Sequence, residues 1–532
     1  MDRNWRLPLL LIAAALLMLT WLTDSRIFYH DDEWLYMKIA EEMFDRGEYW
    51  IPLWLGEPAY YKPPMAYWMM MVFFPFGGDR LLLARLSIAL TSMGTLVCLY
   101  LLAKSLYRSS ESGLRAGLFA VTSLGFLAFG KIGMLEMPMA FFMTAAMLCF
   151  AHAWMDRSSV WAGFFLAITG GSALTKGPIT VLALGLTAFL LLLFYGRWRP
   201  FFSRPAFFGS IAGLFFIGLW PLALYFKGEF PRWFAFFIIG ENFGKFADAV
   251  QYPIGPFLSY LPQWCLPWTF LPVAALLWLF LRGRRLEFEY GLPILWAASV
   301  IAIHLLPDTK LAWYMFLPVP ACMLLVAGVY TQARRSKVLI AGCILTQIIF
   351  GVLGIVALVL AWFLGFTQPV GLLLTGATIA FAFALCVIWQ NRLTLTGLSC
   401  LVAFACLISA GATISPPHLP PASVVALASR HAEVTVMRKQ MYLYTYAFNK
   451  KVRQIISPDE VVNVLDRNGL VIIGEKDLGK TQQEYPFFAQ KYTATPHYKQ
   501  WLEELPPDLI RQALLTGDLS VLQENVYAVT GK

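Results

Sequence analysis

Asp31, Asp32 and Glu33 stand in a row just after the first apolar stretch of a chain that is 59% hydrophobic and only 14% charged. A second acid, Glu136, ends the short polar break Lys131-Ile-Gly-Met-Leu-Glu136. Paired carboxylates at a cleft can deprotonate or orient an acceptor hydroxyl. The plainer reading of the same residues is a helix cap and a solvated loop acid. Cations accompany the acids. In Tyr60-Tyr61-Lys62-Pro63-Pro64 each proline fixes its own φ, and Pro63 drives Lys62 toward extended geometry. A prepositioned ammonium suits a phosphate as a point charge, and a lysine snorkelling at a membrane surface has the same sequence appearance. Glu241-Asn-Phe-Gly-Lys245-Phe246 offers a second lysine among aromatics, and Asp308-Thr-Lys310-Leu-Ala-Trp-Tyr314 adds a third basic group and a hydroxyl.

Several common chemistries have no counterpart in the chain. Gly171-Ser-Ala-Leu-Thr-Lys-Gly177 has neither the second glycine before its lysine nor the hydroxyl residue after it that a phosphate-cradling loop requires. There is no HExxH pair, nucleophile elbow or dinucleotide fingerprint. The eight cysteines (98, 149, 265, 322, 343, 386, 400 and 406) all fall in or against apolar segments, as helix-packing residues do, and form no metal pair. Ionisable residues within apolar segments are scarce, with His152 and His304 near segment ends. That disfavours an ion-coupled transporter, which carries such groups near the bilayer midplane, and leaves open a facilitator or lipid flippase.

The elements that must position these residues are membrane helices. Apolar runs near the ~20 residues needed to cross a bilayer recur from Leu7 to Gly411. About thirteen spans are predicted, near 7–23, 81–103, 114–130, 137–155, 160–175, 178–195, 206–226, 264–281, 290–306, 311–331, 338–364, 370–389 and 393–413. The first reads as an uncleaved signal anchor behind Arg3 and Arg6. The net charge of +9 resides in short basic loops on alternate sides of successive spans, which reports topology and excludes a nucleic-acid reading. With the N-terminus cytoplasmic, the opening acids, Glu136, residues 227–262 and Lys310 all share the outer face, as does the C-terminal tail. Loop 24–80 predicts an amphipathic helix with Leu35, Ile39 and Met43 on one stripe, lying on the membrane surface and capped by Asp31 or Asp32. Residues 1–415 are therefore expected to form a membrane domain, and 416–532 a soluble outer α/β domain. In the latter, short strands near Val434, Val452 and Leu470 accompany a helix opening at Ser457-Pro-Asp-Glu460.

In combination these stretches resemble a family. Asp32-Glu-x-x-Tyr36-x-x-Ile39-Ala-x-Glu42-Met43, Lys62-Pro-Pro-Met-Ala-Tyr-Trp68, Met134-Leu-Glu-Met-Pro138, Leu174-Thr-Lys-Gly-Pro178, Glu241-Asn-Phe-Gly-Lys-Phe246 and the Lys310 to Pro320 element with Tyr314 appear in the order found in the aminoarabinose transferases (ArnT) and the related dolichyl-phosphate-mannose protein mannosyltransferases. The resemblance covers about residues 1–330. It implies a GT-C membrane fold in the bacterial inner membrane and transfer of a sugar from a polyprenyl-phosphate carrier to an envelope acceptor. An aminoarabinose-type pentose going to lipid A comes first, and a hexose going to a protein or another glycan second; a non-catalytic transporter on the same fold is the rival class. Carried over by position, Asp32 and Glu136 would be catalytic, and Lys62, Lys245 and Tyr314 would hold the donor phosphate. Tyr36, Tyr61, Glu241 and Lys310 would support them, with no cofactor. The chain departs from the family pattern at Glu136, where Asp is usual, and at Lys245, where Arg is usual. Tyr61 and Asn242 stand where a glutamate and a histidine are frequent, which removes two metal ligands together and argues against a metal between these loops.

Overall fold

The computed structural model describes residue 14, residues 31–244 and residues 253–389 except 284, 334 and 365–368. Beyond these it describes residues 396, 399–400, 402–407, 409, 422–437, 452–455, 458–467, 469–474, 488–494 and 524–530. Seven helices among the described residues are long and apolar enough to cross a membrane: Arg80–Leu106, Glu136–Met155, Pro178–Tyr195, Arg204–Phe226, Phe288–Leu305, Ala312–Ala333 and Lys337–Trp362. Their ends follow local chemistry. Asp79 accepts hydrogen bonds from the Leu81 and Leu82 amides at the start of the first, and Ser203 accepts from the Ala206 amide at the start of the fourth. Between Ser159–Lys176 and Pro178–Tyr195 the chain reverses on Gly177, whose φ of +85° is strained for any residue with a β-carbon. That reversal leaves Lys176 at the helix terminus.

Two expected spans take a different form. The stretch 114–130 is broken into Ser110–Val121 and Leu124–Phe129, because Ser123 adopts extended backbone and its hydroxyl accepts the Phe126 amide, starting a new helix. The stretch 264–281 becomes helical only from Phe270, past Pro267. The expected spans 7–23 and 393–413 lie largely outside the described residues.

The described parts of the two long loops pack into the protein. Asp31 and Asp32 fall within the first turn of the helix Asp31–Asp45. The stripe Leu35, Ile39 and Met43 is buried in the protein core, so this helix rests on its own chain and not on lipid. A small hairpin follows, β1 (Leu53–Trp54) with β2 (Glu57–Pro58), turning on Leu55 and Gly56, both left-handed. The Gly56 amide donates to Glu42 Oε1 at 2.7 Å, tying hairpin to helix. The loop at residues 227–244 packs against this unit. Trp220 Nε1 donates to the Trp50 carbonyl at 2.8 Å, Tyr60 donates to Glu229 at 2.8 Å, and Lys227 pairs with Glu48 at 2.7 Å. Toward the C-terminus, β3 (Val434–Met437), β4 (Val452–Ile455), β5 (Leu470–Gly474), β6 (Phe488–Ala494) and β7 (Glu524–Thr530) form one sheet in the order β4-β3-β5-β7-β6. Its first three strands run parallel and its last two pair antiparallel. The helices Ala422–Arg430 and Pro458–Asp466 accompany them, and Val424 and Ala428 complete the core with Val436 and Ile472.

The closest helix pairing joins Ser159–Lys176 to Arg204–Phe226 through glycines. A β-carbon on Gly170 would come within 2.3 Å of the Gly213 backbone. Gly170→Val is therefore expected to separate the two helices and destabilise the protein by at least about 2 kcal/mol. Thermal unfolding in detergent, with Gly185→Val at an open helical position as control, would check this.

Candidate active site

The site begins with a charge pair buried where apolar packing dominates. Glu33, fully buried, receives Arg85 on both carboxylate oxygens, from Nε at 2.7 Å and Nη2 at 3.0 Å. Its Oε1 also accepts the Gly133 amide at 3.1 Å. One carboxylate thus joins three segments: the outer helix bearing Asp32, the membrane helix bearing Arg85, and the turn leading into Glu136. Arg85 was not foreseen, since ionisable groups inside the spans were expected only near helix ends. Its signal was a lone arginine within the apolar run 81–103, a placement that marks function or a specific partner. Glu33 had no assignable role in sequence, because its partner is 52 residues away.

This junction sets Asp32 among buried hydroxyls. Burial first, then the negative charge of Asp32, holds the Tyr36 phenol well above its ordinary range, with Tyr67, Glu136 and Tyr314 adding to the effect. Tyr67, its ring 6.1 Å from that of Tyr36, is raised by burial and Asp32 as well. Both therefore stay protonated and can donate.

The cations are paired with acids. Glu136 is 1% exposed; its Oε1 accepts Lys176 Nζ at 2.7 Å, and its Oε2 has no hydrogen-bond partner among the described residues. The Lys176 ammonium also stands over the Tyr314 ring, 4.3 Å from its centroid. Lys62 Nζ pairs with Glu241 Oε2 at 2.9 Å. Lys62, Lys176, Glu241 and Tyr314 line one cavity of about 310 Å³, whose remaining wall includes Leu182 and Phe243. Leu182, Phe243 and the neighbouring Leu306 are exposed, giving the cavity an apolar rim at the level of the membrane helices. Lys176 belongs to the stretch Leu174 to Pro178, but its role was missed. The clue was a lysine at the end of one span, closed off by Gly177-Pro178.

The other expected site residues are placed less centrally. Tyr61 packs edge-on against Phe236 at 5.4 Å, next to Lys62. Lys310 turns its ammonium to the Pro307 carbonyl at 2.9 Å and so braces its own loop. Lys245 lies outside the described residues. Asn242 donates to the Phe237 carbonyl at 2.6 Å. Among the described residues no group of three His, Cys, Asp or Glu side chains could hold a metal.

These features define a polytopic membrane protein of GT-C type, with acids and lysines gathered at one face of the helix bundle. Comparison with known proteins makes the likeness specific. Over nearly its whole length the chain superposes on the crystal structure of ArnT from Cupriavidus metallidurans bound to undecaprenyl phosphate, with a TM-score of 0.72, 16% identity and coverage of 99% of this chain and 98% of that one. Residues 61–225 match the dolichyl-phosphate-mannose-protein mannosyltransferase family. An undecaprenyl phosphate-α-4-amino-4-deoxy-L-arabinose arabinosyl transferase of Pseudomonas fluorescens is 26% identical over 375 residues, 68% of this chain and 66% of that protein. The namesake enzyme of Pseudomonas aeruginosa strain LESB58 is 29% identical over 325 residues, 59% of this chain and 58% of that protein. The matched region thus spans less than two thirds of these relatives' length, 66% of the first and 58% of the second. The chain is ArnT-like in fold.

Breaking a buried ion pair strands its partner. Arg85→Met is expected to cost about 3–5 kcal/mol, and Glu33→Gln with Arg85→Met together less than the sum of the two singles. A double-mutant cycle on thermal stability checks this coupling.

Proposed function

We propose that this protein is a membrane glycosyltransferase that moves a sugar from a polyprenyl-phosphate carrier to an acceptor at the outer face of a bacterial inner membrane. The observation that carries the reading is the convergence of Lys62, Lys176 and Tyr314 on one apolar-rimmed cavity, with Glu136 paired to Lys176. A lipid phosphate needs that combination: cations for the head group and an apolar opening for the chain. In the transfer, an acceptor hydroxyl oxygen bonds to the anomeric carbon as the bond from that carbon to the phosphate oxygen breaks. The bond's electron pair stays on the phosphate, and the hydroxyl proton passes to Asp32 and then to water. The lysines stabilise the charge developing on the phosphate, in a site where low dielectric strengthens each contact. Glu136, with one oxygen engaged by Lys176 and one unpartnered, is poised to bind a polar group of the sugar. The relatives' names, and the undecaprenyl phosphate bound to the Cupriavidus ArnT, support undecaprenyl phosphate as carrier and an aminoarabinose-type pentose as cargo. Lipid A is the acceptor this reading favours.

Asp32→Asn keeps the shape and removes the base, and is expected to lower sugar transfer by about 10²–10⁴-fold without loss of folded protein. Transfer from a lipid-linked sugar by purified, monodisperse enzyme measures this, and near-wild-type turnover would remove Asp32 from the mechanism.

The same reading puts the N-terminus in the cytoplasm, and the Asp31–Asp45 helix and the C-terminal α/β domain in the periplasm. Single cysteines at Tyr49 and Arg467, in a background without native cysteines, should both react with a membrane-impermeant maleimide added outside the inner membrane. Protection of both until lysis would reverse the topology.

A further inference from the structure

The two lysines of the cavity each carry a carboxylate, Glu136 on Lys176 and Glu241 on Lys62, so the four formal charges cancel before any ligand arrives. The two acids are not equivalent. Glu136 is buried, whereas the Glu241 side chain keeps 27% of its surface at the cavity wall, where a phosphate approaching Lys62 must also approach Glu241. Glu241 is held there from behind. It lies on the π-helix Phe234–Phe243, a helix type concentrated at functional sites. Asn242 braces that helix through the Phe237 carbonyl, and Phe237 packs on Trp220 and Trp233 at ring distances of 5.3 and 5.9 Å. Tyr61 against Phe236 fixes the facing loop. The carboxylate is thus a preplaced anion inside a cation site, an arrangement that weakens phosphate binding unless it serves a distinction between phosphates.

Such a distinction exists in the reaction. The donor is a phosphodiester with one negative charge. The spent carrier is a phosphomonoester whose second ionisation, near pH 6, brings it to about −1.5 to −2 at neutral pH. Like-charge repulsion in a partly buried site grows with that added charge. We propose that Glu241 is a specificity-determining residue: it lets Lys62 hold the singly charged phosphodiester donor and disfavours the doubly charged monoester, so that the spent carrier is expelled after transfer. The inference rests on the donor-phosphate role proposed for Lys62.

The test compares two probes, a long-chain polyprenyl phosphate and its methyl phosphodiester, binding to the full-length protein in nanodiscs. Glu241→Gln is expected to tighten the monoester by roughly tenfold and the diester by less than about threefold, with product inhibition of turnover rising in parallel. Glu241→Asp should keep the wild-type discrimination. If Glu241 merely orients Lys62, Glu241→Gln weakens both probes alike, and that result, or equal tightening of both, overturns the proposal. Lys62→Ala separates the two levels. Unchanged binding of both probes in Lys62→Ala removes the donor-phosphate role itself. Loss of both there, with no selective change in Glu241→Gln, removes only the role of Glu241.

Discussion

The contact between Glu33 and Arg85 is the constraint on which the rest of the site depends. A carboxylate and a guanidinium withdrawn from water in the interior of an apolar chain are stable only when each satisfies the other with near-ideal geometry. Here the guanidinium meets both carboxylate oxygens, and one of those oxygens also takes the Gly133 amide. None of the three segments can shift without stranding a buried charge. The neighbouring Asp32 and the following Glu136 therefore inherit positions set by their neighbours, one residue and three residues along the chain from the clamp.

The cation side follows the same economy of charge. Lys176 and Lys62 could not remain at the edge of an apolar bundle as bare ammoniums, and each is compensated by an acid from a different segment. Those segments arrive by separate means: Gly177 ends one helix at Lys176, Pro63 and Pro64 stiffen the loop at Lys62, and a π-helix presents Glu241. The outer loops act as one body because aromatic rings and buried hydrogen bonds join them. Trp220 reaches the Trp50 carbonyl, and Tyr60 reaches Glu229.

Much of this was legible from residue types alone, where the signal is local. Asp32, Lys62 and Tyr314 stand out in the sequence because acids, Pro-flanked lysines and hydroxyls are rare in an apolar chain and fall in an ordered set of motifs. The short strands at Val434, Val452 and Leu470 were found because β-branched runs differ in period from the spans before them. What escaped was relational. Glu33 looked redundant beside Asp32, Arg85 looked like one more residue of a membrane helix, and Lys176 looked like part of a failed phosphate loop. Each acquires meaning only from a partner far along the chain. The amphipathic helix at Asp31–Asp45 shows the same limit: its stripe correctly marks a buried face, but periodicity does not distinguish lipid from protein as the apolar partner.

By itself, the sequence determined that this is a polytopic membrane protein. Hydrophobic length and loop charge respond to the bilayer one segment at a time, and need no knowledge of how segments pack. Only the tertiary structure decided which acid meets which base: Glu33 with Arg85, Glu136 with Lys176, Glu241 with Lys62. Ion pairing in a low-dielectric interior depends on separations of a few ångströms between residues 40 to 179 positions apart. Spacing along the chain carries no such information.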